Sequence, residues 1–144
     1  MPPALNDAMI ADNWNLVNTL LNNGANPNDV GTYGWNALHV AVLTCDDRAL
    51  FRIILHAIDN INAVDINGNT ALIIASKFGF YDMVEDIMTI NGVDRYHRNN
   101  LDLSALDYAN QIENLDKRQQ VIDAFLVRRR SASRLMGLKN KIRF

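Results

Sequence analysis

The chain reads as an all-α solenoid of four helix–turn–helix units joined by short β-turn or hairpin connections. Three observations predict this. Leu5, Leu38, Leu72 and Leu106 fall 33, 34 and 34 residues apart, and Ala8, Ala41, Ala75 and Ala109 keep the same spacings. Apolar pairs follow in the same register: Leu16-Val17, Leu50-Phe51, Met83-Val84 and Val121-Ile122, then Leu20-Leu21, Ile54-Leu55, Ile87-Met88 and Phe125-Leu126. Between these blocks lie Gly and Asx clusters of the kind that turn the chain. A fixed period near 33 means one small unit repeated, each burying its apolar face on the next. Stacked units build an extended surface rather than an enclosed pocket.

The units run over about 1–28, 29–62, 63–95 and 96–127. The first has no turn of its own and begins directly at a helix, with Pro2-Pro3 suited to a helix start. It reads as an N-terminal cap. The second carries one extra residue between Ala41 and Leu50, around Cys45-Asp46-Asp47. In the third, Asp65-Ile66-Asn67-Gly68 predicts a tight turn, because Asx side chains bond the backbone two residues on and Gly accepts positive φ. Thr70 is a good N-cap for a helix starting at Ala71. Leu72, Ala75 and Ser76 share one face at i, i+3, i+4 spacing, and small residues there admit a close neighbour. Gly79 reads as a left-handed C′ residue. Met83, Val84, Ile87 and Met88 stripe a second helix, which Asn91-Gly92 ends. The fourth unit has four extra residues between Ala109 and Val121, within the polar stretch 111–120. A polar outer face suits a terminal unit.

This turn, short helix and longer helix resemble the ankyrin repeat. The family signature runs roughly Asp-x-x-Gly-x-Thr-Pro-Leu-His-x-Ala-Ala, then a Gly, branched apolars, a Leu-Leu pair and Gly-Ala-x-x-Asn. Gly34, Ala37-Leu38-His39 and Ala41 match it in the second unit, and Leu20-Leu21 with Gly24-Ala25-Asn26-Pro27-Asn28 match it in the first. Ile61-Asn62 and Asp65 continue the register, and the resemblance covers about residues 4–127. The Thr-Pro pair is eroded to Asn36-Ala37, Thr70-Ala71 and Ser104-Ala105. The resemblance implies a protein-binding module working through turn tips and the concave face of the first helices. It makes His39 a structural residue that bonds between adjacent turns.

Turn tips and exposed first-helix positions are where a partner is expected. They are Thr32, Tyr33, Trp35 and Thr44 in the second unit, and Ile66, Asn67, Asn69, Lys77 and Phe78 in the third. In the fourth they are Asn100, Leu101, Leu103 and Gln111. Tyr33, Trp35, Ile66, Phe78, Leu101 and Leu103 would line up as large apolar groups free of packing duty. Such a patch marks an interface.

No catalytic, metal or cofactor role is expected. Cys45 with His39, His56 and His97 makes no zinc-like spacing. His56 and His97 read as surface or lightly bonded residues. Nothing positions a base near Cys45. Gly68 and Gly79 are isolated turn glycines, not a phosphate loop. Asp46-Asp47 and Asp82/Glu85/Asp86 read as solvated charge.

The 144 residues are 49% apolar, enough for a continuous core, and hold no apolar run long enough to span a bilayer. The first residues lack the pattern of a signal peptide. One cysteine excludes an internal disulfide framework, and none of the 19 asparagines sits in an Asn-x-Ser/Thr site. These features point to an intracellular, cytoplasmic, monomeric protein, although repeat ends also admit end-to-end stacking.

Net charge is −2, but residues 1–127 hold all 16 acidic residues against 7 basic ones, while residues 128–144 hold 7 basic residues and no acidic one. The body is therefore at −9 and the tail at +7. Leu135, Leu138 and Ile142 fall at i, i+3, i+7, so the tail can form a basic amphipathic helix bent at Gly137. Four uses stay open: a final cap folded onto the stack, a nuclear address, contact with anionic membrane or nucleic acid, or plain disordered chain. Arg-rich flanks also make Ser131 and Ser133 candidate phosphorylation sites. The acidic stack itself disfavours nucleic acid.

The leading expectation is a non-enzymatic adaptor, inhibitor or delivered effector, located in a host cell in the last case. Its partner would be another protein. The alternatives are a module tethered through its tail, and a non-catalytic scaffold subunit of an enzyme complex.

Overall fold

The computed structural model describes residues 5–126. Pro2-Pro3 and the basic tail 128–144 lie outside the described residues. The fold is an all-α repeat solenoid. The helices are α1 (Leu5–Ile10), α2 (Trp14–Asn22), α3 (Ala37–Thr44), α4 (Arg48–Ala57), α5 (Ala71–Lys77), α6 (Tyr81–Met88), α7 (Ala105–Asn110) and α8 (115–126). A short 3-10 turn covers Thr32–Gly34. Among the described residues, β pairing is limited to one isolated antiparallel bridge, Arg98 to Ser104.

Local chemistry sets the helix ends. The Thr70 hydroxyl accepts from the Ile73 N–H and caps α5 at the position the sequence predicts. Asn36, Asp47 and Ser104 cap α3, α4 and α7 in the same way. Gly79, at φ +75°, closes α5 in a Schellman arrangement: Gly79 N–H bonds Ser76 O at 3.2 Å and Phe80 N–H bonds Ala75 O at 2.9 Å. The extra residue of the second unit lengthens α3, which has eight residues against seven in α5, while three residues join the first to the second helix in both units. In the fourth unit the insertion lengthens a helix. α8 begins six residues before Val121, whereas α6 begins two before Met83, so the four residues add about one turn.

First helices pack side by side in the order α1, α3, α5, α7, and α4 packs on α6. Between these layers runs one core that includes Met9, Leu38, Phe51, Ile54, Leu72, Ile87 and Met88. The repeating leucine is buried in the first three units: Leu5 is 5%, Leu38 1% and Leu72 1% exposed. In the fourth unit Leu106 is 41% exposed.

On the side of the stack where each second helix ends, asparagine holds neighbouring units together. Asn62 accepts from the Asp94 N–H at 2.7 Å and donates to Gly92 O at 2.8 Å. One unit earlier Asn28 accepts from the Asp59 N–H at 2.8 Å and reaches Ala57 O. A short amide side chain carries both a donor and an acceptor, which this clamp requires.

Charge ties the same units. Arg48 bridges Asp82, Glu85 and Asp86 at 3.1–3.3 Å, and Arg52 also reaches Asp86 at 3.1 Å. This corrects the reading of Asp82/Glu85/Asp86 as solvated charge. Asp86 is buried and accepts from two guanidinium groups, so the cluster fastens α6 to α4. These bonds, the one to Asp86 foremost, push the Arg48 pKa further up.

Candidate protein-interaction surface

Three turns of one shape form a rail along the stack. Each closes with the same backbone bond: Gly31 N–H to Trp35 O, Asp65 N–H to Asn69 O and Asn99 N–H to Leu103 O, at 2.9–3.0 Å. Adjacent turns are then stitched together by Ile66 N–H to Tyr33 O at 2.9 Å and Asn100 N–H to Asn67 O at 3.0 Å. Glycine is required twice here. A Cβ on Gly34 would stand 3.0 Å from the Ile66 nitrogen, and one on Gly68 would stand 2.5 Å from Asn100 Oδ1. Both have positive φ.

Buried polar groups set the turns from beneath. Asp65 accepts from the N–H groups of Asn67 and Asn69, and Asn99 accepts from those of Leu101 and Leu103. His39 links α3 to the next connection. Its Nδ1 accepts from the Asn36 N–H at 3.1 Å, so the ring proton sits on Nε2 and donates to Ala63 O at 3.0 Å. Burial lowers the His39 pKa below the ordinary 6.5 and favours this neutral ring. His97 makes a similar link, through Nε2 to Gly68 O at 3.0 Å.

The expected partner-facing residues divide into two groups. Tyr33, Trp35, Ile66, Asn67, Asn69, Leu101 and Leu103 lie on the rail. Thr44, Lys77, Phe78 and Gln111 lie at the far ends of the first helices. α5 separates the two groups by its own length, about 10 Å.

On the rail, Tyr33 is 60%, Ile66 66% and Leu101 74% exposed. Trp35, Asn69 and Leu103 are half-buried and do carry packing duty. Trp35 Nε1 donates to Asp65 Oδ2 at 3.2 Å, and Asn69 Oδ1 accepts from Asn99 Nδ2 at 2.8 Å. Tyr33 rests against Trp35, with ring centroids 5.1 Å apart, and has φ +62°, a strained value for a residue with a Cβ.

At the helix ends, the Thr44 hydroxyl bonds back to Val40 O within α3. Lys77 reaches over the rings of Phe78 and Tyr108, at 5.6 and 5.5 Å from their centroids. Phe78 is 46% exposed and stacks on Phe80 at 5.9 Å. Gln111 is exposed at the end of α7. The sequence reading missed Leu43 and Tyr81, both more than a third exposed. With Val42, Thr44, Phe80 and Met83 they line an open cavity of about 380 Å³ between the second and third units.

Cys45 also lines this cavity, and its thiol donates to Asp47 O at 3.2 Å. Burial raises its pKa above the ordinary 9.0, so it stands as the less nucleophilic protonated thiol. Among the described residues, no group of three or more His, Cys, Asp or Glu is placed to hold a metal ion, and no helix is long and apolar enough to cross a membrane.

Stitched turns over paired helices define a repeat protein that works by presenting a surface. A family model of ankyrin repeats in three copies matches residues 5–99, and the chain belongs to the ankyrin-repeat family. α7 and α8 continue the same stack past the matched span. Among curated proteins, none matches this chain. Ankyrin repeats are protein–protein interaction modules.

Proposed function

We propose that the chain is a non-enzymatic adaptor, inhibitor or effector that docks on another protein through Tyr33, Ile66 and Leu101 on the turn rail and through Phe78 and Lys77 at the helix ends. One observation carries this reading. Large apolar side chains stand well exposed on a backbone that bonds between units hold fixed. Rigid presentation lowers the ordering cost of binding, and aromatic anchors supply much of an interface's energy. The buried, free Cys45 supports a reducing, intracellular setting.

The test is a pull-down from cell extract comparing the wild type with Tyr33→Ala/Ile66→Ala/Phe78→Ala. None of these side chains is buried, so circular dichroism should show both proteins folded. One partner retained by the wild type and lost by the variant supports the reading. The same partners retained by both sinks it.

A further inference from the structure

The bend between α5 and α6 is covered on one side and open on the other. On the fourth-unit side the Lys117 side chain lies over Gly79, so close that a Cβ on Gly79 would collide with it. Lys117 belongs to the extra turn of α8, so the insertion in the fourth unit fills that gap. On the second-unit side lies the cavity of about 380 Å³, between the end of α3 and the start of α6. Its volume falls in the range of ligand sites, about 300–1,000 Å³, at the end that suits one anchoring side chain.

The lining selects an apolar occupant. Leu43 and Tyr81 stand at the rim, 38% and 37% exposed, and Val42 and Phe51 are buried at the base. Phe80 and Met83 are half-buried in the wall, and the flexible Met83 adapts to side chains of different shape. The hydroxyl and thiol of the wall already donate elsewhere, Thr44 to Val40 O and Cys45 to Asp47 O. Charge selects what flanks that occupant. Asp82, Glu85 and Asp86 share the guanidinium groups of Arg48 and Arg52. Asp46 also lines the cavity, is exposed, and makes no ion pair among the described residues. With Asp47, five carboxylates stand against Arg48, Arg52 and Lys117, so the surroundings are net negative.

We propose that this cavity takes one large apolar side chain of a partner protein, flanked in the partner's sequence by Lys or Arg that pair with Asp46 and Asp82. The proposal rests on the reading of the chain as a protein-docking module and gives it a subsite apart from the turn rail. Phe78, stacked on Phe80, joins this subsite to the patch at the helix ends.

The test is an amide NMR titration of the isotope-labelled full chain with three capped peptides, Gly-Arg-Trp-Arg-Gly, Gly-Glu-Trp-Glu-Gly and Gly-Arg-Ala-Arg-Gly. The first should shift the Leu43, Tyr81 and Met83 amides saturably. It should bind about tenfold more tightly than either of the others, a difference of about 1.4 kcal/mol. Leu43→Ser/Tyr81→Ser should abolish these shifts while its dispersed spectrum shows a folded chain. Equal affinity for the Glu peptide removes the charge argument, and equal affinity for the Ala peptide removes the anchor; either overturns the proposal. Absence of saturable shifts at these amides does so too. Shifts confined to Tyr33, Ile66 and Leu101 overturn the subsite but leave docking on the rail standing. The two readings fail separately, because Tyr33→Ala/Ile66→Ala/Phe78→Ala keeps both Leu43 and Tyr81.

Discussion

Leu72 and Leu106 hold the same register position, yet one is 1% and the other 41% exposed. The third unit is packed on both sides, whereas the described fourth unit is packed on one. The contrast extends to the turns. Gly68 takes positive φ in the third turn, and Asp102 takes φ +60° at the same place in the fourth. It extends to the residue that closes the first-helix cap, which is His39 in the second unit, Ile73 in the third and Asp107 in the fourth. In a repeat protein, register says which residue type is tolerated, and the neighbouring unit decides how much that residue matters.

Leu72→Ala gives the largest effect. It empties a site closed on both sides and should lower unfolding free energy by about 3 kcal/mol, read from urea denaturation. A loss under about 1 kcal/mol would break the comparison, because the middle of the stack would then be no better packed than its end.

The two turns come next. Gly68→Ala places a Cβ against Asn100 at positive φ and should cost about 2 kcal/mol. Asp102→Gly reverses the strain at the equivalent position. It gives up only a 3.9 Å ion pair with Arg98, in which Asp102 is 88% exposed. It should gain about 0.5 kcal/mol. Thermal melts of both variants check the pair, and opposite signs are the expected result.

pH separates the cap-closing residues. Folding lowers the His39 pKa below 6.5, chiefly by burial. The unfolded chain therefore binds a proton first. Stability is full above about pH 6.5 and falls as pH drops from there through the lower folded value. Folding also lowers the Asp107 pKa below 3.8, through its bonds to Ser104 and then the nearby Arg98. Its contribution is full above the unfolded value and is lost as pH falls through the folded one. Urea midpoints from pH 8 to pH 3 should thus decline in two steps. His39→Gln should flatten the upper step alone. A slope between pH 6.5 and 5 that survives this change would assign the step elsewhere.

Much of this fold was legible, for a physical reason. Leucine spacing, Thr70, Asp65 to Gly68 and Gly79 are local signals, and each forms the cap or turn that its chemistry implies. Exposure on the rail was legible at Tyr33, Ile66 and Leu101, where the side chain leaves a turn tip with nothing above it. It was not legible at Trp35 or Asn69, whose partners Asp65 and Asn99 lie 30 residues away. The clamps at Asn28 and Asn62 were hidden in the same way, since they bond backbone groups of the next unit. Asp86 was misread because a carboxylate on a charged helix carries no mark of the two arginines that bury it.

A small effect at the covered face is the most discriminating. Ser76 is fully buried on α5, and its hydroxyl has no hydrogen-bond partner among the described residues. Such a group keeps its desolvation cost without a compensating bond. Alanine also favours the helix. Ser76→Ala should therefore raise stability by about 1 kcal/mol, while Asn110→Ala at the exposed equivalent gains only its helix propensity, about 0.5 kcal/mol. Chemical denaturation of both variants at one pH makes the comparison. If Ser76→Ala instead destabilises, the hydroxyl is bonded, and the face between the third and fourth units is wetter than the packing of Leu72 implies. If the two gains are equal, burial adds nothing at position 76, and the difference between a covered face and an open one shrinks to leucine alone.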